Sequence, residues 1–205
     1  LLANADTPFF TLTEERPYNN EVKLAQPMKR TTFSANTLRQ EGGRLIIGFE
    51  KIHFEAAVQV EIKEQYIVFT LVDFLVHPDS FGVGVEPILP PVSSFRLVQL
   101  ALKPRENFGE WLNALWDDQA AVNVLSACPY PKIGFEERRD HKILFGEALS
   151  EVQLKNAGVA LIVAPREELL DSIEALEVDR DLPRGVESRR APTINHSYYW
   201  VSDIT

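Results

Sequence analysis

Apolar and polar positions alternate along most of this chain, and a period of two marks a strand with one buried face. Residues 53–64 read HFEAAVQVEIKE, with Phe54, Ala56, Val58, Val60 and Ile62 on one side and Ala57 interrupting the polar side. Residues 65–77 (QYIVFTLVDFLVH) are almost continuously apolar, β-branched and aromatic. That pattern predicts a central strand covered on both faces. Residues 44–49 (RLIIGF) form a third strand, entered through the turn signal Glu41-Gly42-Gly43. Residues 6–40 mix short alternating runs with Pro8, Pro17 and Pro27, which predicts an extended lead-in with edge strands.

The second half continues in the same way. Residues 78–94 contain Pro78, Gly82, Gly84, Pro87, Pro90 and Pro91 and read as a long loop of the kind that often carries function. Residues 95–102 (FRLVQLAL) alternate, and Asn107-Phe108-Gly109 reads as a turn. Residues 110–116 (EWLNALW) are a strand candidate, Asp117-Asp118-Gln119 a polar turn, and residues 120–127 the hairpin partner. Two more strands are expected over 141–149 and 152–163, with Lys155-Asn156-Ala157-Gly158 bending or bulging the second. Residues 165–177 (PREELLDSIEALE) break the pattern. Pro165 at the first helical position, acids in the first turn, and Leu169, Leu170, Ile173 and Leu176 at helical spacing predict an amphipathic helix. After Pro183, Gly185 and the charged link 187–190, the chain ends on the aromatic run Tyr198-Tyr199-Trp200-Val201. The reading is a mainly β, antiparallel β-sandwich over 1–164, a helix and linker over 165–192, and the start of a following domain over 193–205.

Composition narrows the chemistry. The 205 residues are 45% hydrophobic and 25% charged, ordinary globular values that argue against disorder or a coiled coil. A net charge of −9 disfavours general binding to nucleic acid or anionic membranes. No stretch approaches the roughly 20 apolar residues of a membrane helix. The single cysteine, Cys128, excludes an internal disulfide and reads as a small core residue. His53, His77, His141 and His196 lack metal-ligand spacing, and no cofactor or metal motif is present. Leu1-Leu2-Ala3-Asn4-Ala5 fits the tail of a signal peptide, with Ala3-Asn4-Ala5 as the small-x-small cleavage pattern, so an extracellular or periplasmic location is expected.

The candidate chemistry lies in the aromatic and acidic residues. Trp111 and Trp116 are five apart, so within one strand they would face opposite sides, one toward the core and one toward solvent. An exposed indole suits stacking on the C–H face of a sugar. Asp117 and Asp118 are adjacent and read as a turn rather than a catalytic pair. With Asn123 they supply oxygen atoms suited to calcium, but not at EF-hand spacing. Asn113 and Asn123 are expected to bond each other or a turn. Glu136-Glu137-Arg138-Arg139-Asp140-His141 reads as a solvated, ion-paired loop.

The order of elements resembles the N-terminal, supersandwich-type β-sandwich of a multidomain glycoside hydrolase, of the kind that precedes a catalytic (β/α)8 barrel in α-galactosidase-like and α-glucosidase-like enzymes. The residues that carry it are the tryptophan segment 111–118, the helix 167–177, and the exit Arg189-Arg190-Ala191-Pro192 into Ser197-Tyr198-Tyr199-Trp200. The resemblance implies a non-catalytic domain whose partner is its own downstream barrel, with the 78–94 loop lent to the active-site rim. It also implies that residues 197–201 are the first barrel strand, with Trp200 and Asp203 near the substrate face. The alternatives are a free-standing carbohydrate-binding module that holds an oligosaccharide, and a structural or surface-interaction sandwich.

Overall fold

The structure, a computed structural model, describes residues 2–3, 6–17, 28–49, 52, 54–76 and 92–179. Among them are the strands β1 (Thr11–Pro17), β2 (Met28–Glu41), β3 (Arg44–Phe49), β4 (Phe54–Ile62), β5 (Ile67–Val76) and β6 (Val92–Leu102). The strands β7 (Asn107–Gly109), β8 (Ala114–Trp116), β9 (Ala120–Ser126), β10 (Lys132–Glu137), β11 (Lys142–Leu149) and β12 (Gly158–Pro165) follow. A 3-10 turn (Arg166–Glu168) then leads into the helix α1 (Leu169–Asp179). The strands form one sheet in the order β10-β11-β6-β1-β2-β3-β4-β5-β12-β9-β8-β7, and every pairing is antiparallel. The described residues are mainly β with one helix, α1, after the last of these strands, as the alternation and the helical spacing over 165–177 predict.

The sandwich is a single sheet curled onto itself. Residues 28–34 of β2 pair with β1, and residues 35–41 pair with β3, with a register slip between Ala35 and Thr37. Such irregularities bend a strand and sharpen its twist. Leu12 of β1, Phe95 and Leu97 of β6 and Leu144 of β11 therefore meet Ile47, Val58, Leu71 and Val159 of the opposite half in one buried cluster. Each such side chain contributes about 1.5–3 kcal/mol on full burial, so this shared interior is the main force holding the halves together. Glycine sets their closest approach at one point. A Cβ on Gly146 of β11 would fall among the methyl groups of Val159 on β12.

The outer face of the second half is covered by α1. Leu169, Ile173 and Leu176 pack with Ala121, Leu125, Ala160, Ile162 and Ala164. The strand β12 thus has Val159 in the interior cluster and Ala160 and Ile162 under the helix, which accounts for its unbroken apolar run. The free edges of the curled sheet are β10 and β7, and the curl brings their side chains together. Phe108 of β7 meets Phe135 of β10 edge-to-face with centroids 4.7 Å apart, and the Lys142 ammonium lies 4.6 Å from the Phe108 ring centre.

Several expectations need correction. β1 is not an edge strand, because it lies between β2 and β6. Asn107-Phe108-Gly109 is β7 rather than a turn, while Glu110–Asn113 is a turn and only Ala114–Trp116 forms strand. Residues 151–156 lie before β12, so residues 155–158 lead into that strand instead of bulging it. β10 occupies 132–137, including two residues expected to be loop. Pro165 ends β12 and precedes the 3-10 turn. Ile62, expected on the buried face of β4, is 79% exposed. Cys128 is half-buried, and its Sγ accepts a hydrogen bond from the Gly158 backbone N–H at 3.2 Å. The Glu41-Gly42-Gly43 signal does form a two-residue hairpin turn, with φ of 56° at Gly42 and 77° at Gly43. The 78–94 loop lies outside the described residues up to residue 91, and residues 92–94 belong to β6.

Candidate functional site

The tryptophan segment is organised by two turns. In the first, the Asn113 N–H donates to the Glu110 carbonyl at 3.2 Å, and Asn113 adopts φ 49°, a left-handed conformation that asparagine tolerates better than most residues. The turn separates the two indoles. Trp116 lies in β8 and packs against the helix-side cluster, its ring running across Gly109, where a Cβ would come within 3.1 Å of Cζ3. Trp111 sits on the turn and is 52% exposed. One indole is packed and the other faces water, although the two do not share a strand.

Two buried asparagines fix this turn to β9. Asn123 Nδ2 donates to the Leu112 carbonyl at 2.6 Å, and Asn113 Nδ2 donates to the Val124 carbonyl at 3.1 Å. Each thus bonds turn or strand backbone. Both Oδ1 atoms are buried without a hydrogen-bond partner. A buried acceptor left unmatched costs about 1–3 kcal/mol, so the turn is held at some expense. The second turn is built on Asp117. Its Oδ1 accepts from the N–H groups of Gln119 (3.0 Å) and Ala120 (2.9 Å), and its Oδ2 accepts from Arg105. Asp117 is therefore a turn residue with its carboxylate occupied.

Glycoside hydrolysis needs two carboxyl groups roughly 5–9 Å apart with room between them. Among the described residues, acidic side chains flank a common point at Arg39 and at Arg96. Glu55 receives a bidentate bond from Arg39 (Nη2 to Oε2, 2.7 Å), and Glu41 lies 3.5 Å from the same guanidinium. The Glu55 hydrogen bond, opposed by desolvation, holds the Arg39 pKa above its ordinary value. Arg96 donates to Gln99 and to Glu136 (2.7 Å), lies 3.8 Å from Glu147, and rests 4.1 Å from the Phe145 ring centre. Glu136 also pairs with Arg138. The charged segment 136–141 carries the expected ion pairs, including Lys142 with Glu137 at 2.5 Å and His141 with Asp140 at 2.8 Å. His141 holds the Asp140 carboxyl below the usual carboxylate range.

A bulge hides the Arg96 cluster from the sequence pattern. Between β6 and β11 the register slips at Gly146/Glu147, leaving Leu97 and Val98 both buried in the same interior cluster. Arg96 and Gln99, three apart, are thereby brought together on the opposite face. No regular alternation would place them side by side. Trp200 and Asp203, along with the proposed barrel strand 197–201, Arg189-Arg190, and His53, His77 and His196, lie outside the described residues. Among the described residues no group of three or more His, Cys, Asp or Glu side chains is placed to hold a metal, and no helix is long and apolar enough to cross a membrane.

No family model matches this chain, and no curated protein matches it. Among solved structures, the chain is similar to a GH31 family sulfoquinovosidase from E. rectale in complex with the aza-sugar inhibitor IFGSQ, at 11% sequence identity and a TM-score of 0.39. The alignment covers 84% of this chain and 31% of that one, so the chain spans under a third of that enzyme's length.

Proposed function

We propose that this chain is a non-catalytic β-sandwich domain of a secreted glycoside hydrolase, packing against a catalytic barrel that lies outside it. The hydrolase part of this reading rests on the resemblance in element order, and the observation that supports its non-catalytic part is what stands between the acidic side chains. Among the described residues, at the Arg39 and Arg96 clusters, a guanidinium fills the space a glycosidic oxygen would need. These carboxylates hold strands together, and an arginine rather than a scissile bond stands between the two of each pair. The test is to incubate the purified chain with a panel of 4-nitrophenyl glycosides. No release above the blank is expected. Hydrolysis that persists on repurification and is lost in Glu136→Gln would overturn the reading.

A second reading is favoured by one specific observation, the half-exposed Trp111 on a turn pinned by two buried asparagines. An indole held in that way can stack on a sugar ring at little cost in side-chain freedom. On this reading the chain binds oligosaccharide directly. Saturable binding on a glycan array, lost in Trp111→Ala with an unchanged melting temperature, supports it. Equal binding by wild type and Trp111→Ala removes it.

A further inference from the structure

The face of β1, β2, β6, β10 and β11 that points away from the interior cluster carries a hollow of about 380 Å³. That volume falls at the lower end of small-molecule sites. Its floor is a row of hydroxyls, Thr11 and Thr13 from β1 and Thr32 and Ser34 from β2. Its wall is the Arg96 cluster with Glu147. The groups are already ordered. Thr11 and Gln99 are 6% and 7% exposed, and the Gln99 amide is fixed at both ends, donating to the Pro8 carbonyl at 3.0 Å and accepting from Arg96. Thr13 and Thr32 share a hydrogen bond at 3.0 Å, which leaves one hydroxyl hydrogen of the pair to point elsewhere.

We propose that this hollow binds a neutral polyhydroxylated ligand, a sugar ring or an open-chain sugar alcohol. An anion is a poor match. Both lining guanidiniums, Arg96 and Arg138, are engaged by Glu136, and with Asp6 and Glu147 the lining carries more acidic than basic groups. Glu147 lies 3.8 Å from the Arg96 Nε, beyond hydrogen-bond length, so its oxygens keep acceptor capacity for a ligand hydroxyl. A row of hydroxyls that both donate and accept, facing a carboxylate that accepts, complements a ring of C–OH groups, which also do both. The site stands on its own lining and does not depend on Trp111.

The experiment is ligand titration by calorimetry and ligand-observed NMR, using D-glucose, D-galactose and maltose as ring probes, D-sorbitol as the open-chain probe and D-glucose 6-phosphate as the anionic probe. At least one neutral probe should saturate the site. Its affinity should fall by about tenfold or more in both Thr32→Val and Glu147→Gln, and stay unchanged in Trp111→Ala. Thr32 is exposed, so its variant keeps the fold should Glu147→Gln disturb the Arg96 cluster. Preference for a ring probe or for sorbitol identifies which polyol chemistry the site takes, and either supports the proposal. Failure of every neutral probe to saturate by about 100 mM would overturn it. So would tighter binding of the phosphate ester, or binding lost in Trp111→Ala but kept in Thr32→Val.

Discussion

Asp73 of β5 is held below the usual carboxylate range, chiefly by a hydrogen bond from the Lys155 ammonium at 2.5 Å, with desolvation opposing and the Phe74 backbone N–H assisting. A carboxylate whose folded pKa is depressed stabilises the fold above its unfolded value, near 3.9, and that contribution fades as the pH falls through the folded value. Both side chains are about half exposed, so the pair is worth at most about 1 kcal/mol. The urea midpoint of the wild type should therefore fall further between pH 5 and pH 2.5 than that of Lys155→Met. Parallel pH profiles would contradict the assignment. Gly146 offers a sharper test. Gly146→Ala should cost about 1–3 kcal/mol by overpacking against Val159. Combined with Val159→Ala it should cost less than the sum of the two single changes, by about 0.5–3 kcal/mol. Simple additivity in urea denaturation would show that the two residues do not meet. The Gly146 contact is not legible in the sequence, since Gly146 and Val159 belong to strands that face each other without pairing.

The elements that could be read from the chain are those whose neighbours agree with their own pattern. β3 spans the predicted residues, β4 and β5 nearly so, and α1 stands out because its apolar period is helical. The misread elements are those where tertiary pairing overrides local preference. Asn-Phe-Gly has turn composition, yet β7 pairs with β8. The apolar run 111–116 looks continuous, yet the left-handed Asn113 cuts it in two. β10 is an edge strand with charges at its end, so nothing local distinguishes it from a loop. Its anchoring is testable. Phe135→Ala should remove the contact with Phe108, cost about 0.5–3 kcal/mol, and speed amide exchange in β10 more than in β9. Leu169→Ala should cost about 2–5 kcal/mol because it opens the cluster beneath α1, and amide exchange in β12 should then rise. Unchanged stability would mean that the helix is not a covering element.

Across the whole molecule, the mainly β antiparallel class was legible because alternation recurs through most of the chain. That one sheet supplies both layers was not, because the fold-over rests on a register slip inside β2 that leaves no mark in composition. The candidate site divides in the same way. Trp111 and Trp116 could be nominated as residue types, whereas the Arg96 cluster and the hollow beside it arise only when five strands from four parts of the chain lie side by side.

The pairing order also has a consequence in time. β2 to β5 are joined to their neighbours by local hairpins, but β5 completes its other side only with β12, where Phe69 meets Val159, and β1 does so with β6, where Leu12 meets Phe95. At synthesis rates of about 5–20 residues per second, β5 waits roughly 5–20 s for its partner to emerge. Throughout that interval a strand carrying Phe69 and Leu71 offers open backbone bonding groups, the state most exposed to pairing with another nascent chain. Folding dominated by such distant pairings is slow in any case. The yield of soluble protein should therefore respond to lower temperature and to holdase chaperones more than to changes in the finished fold.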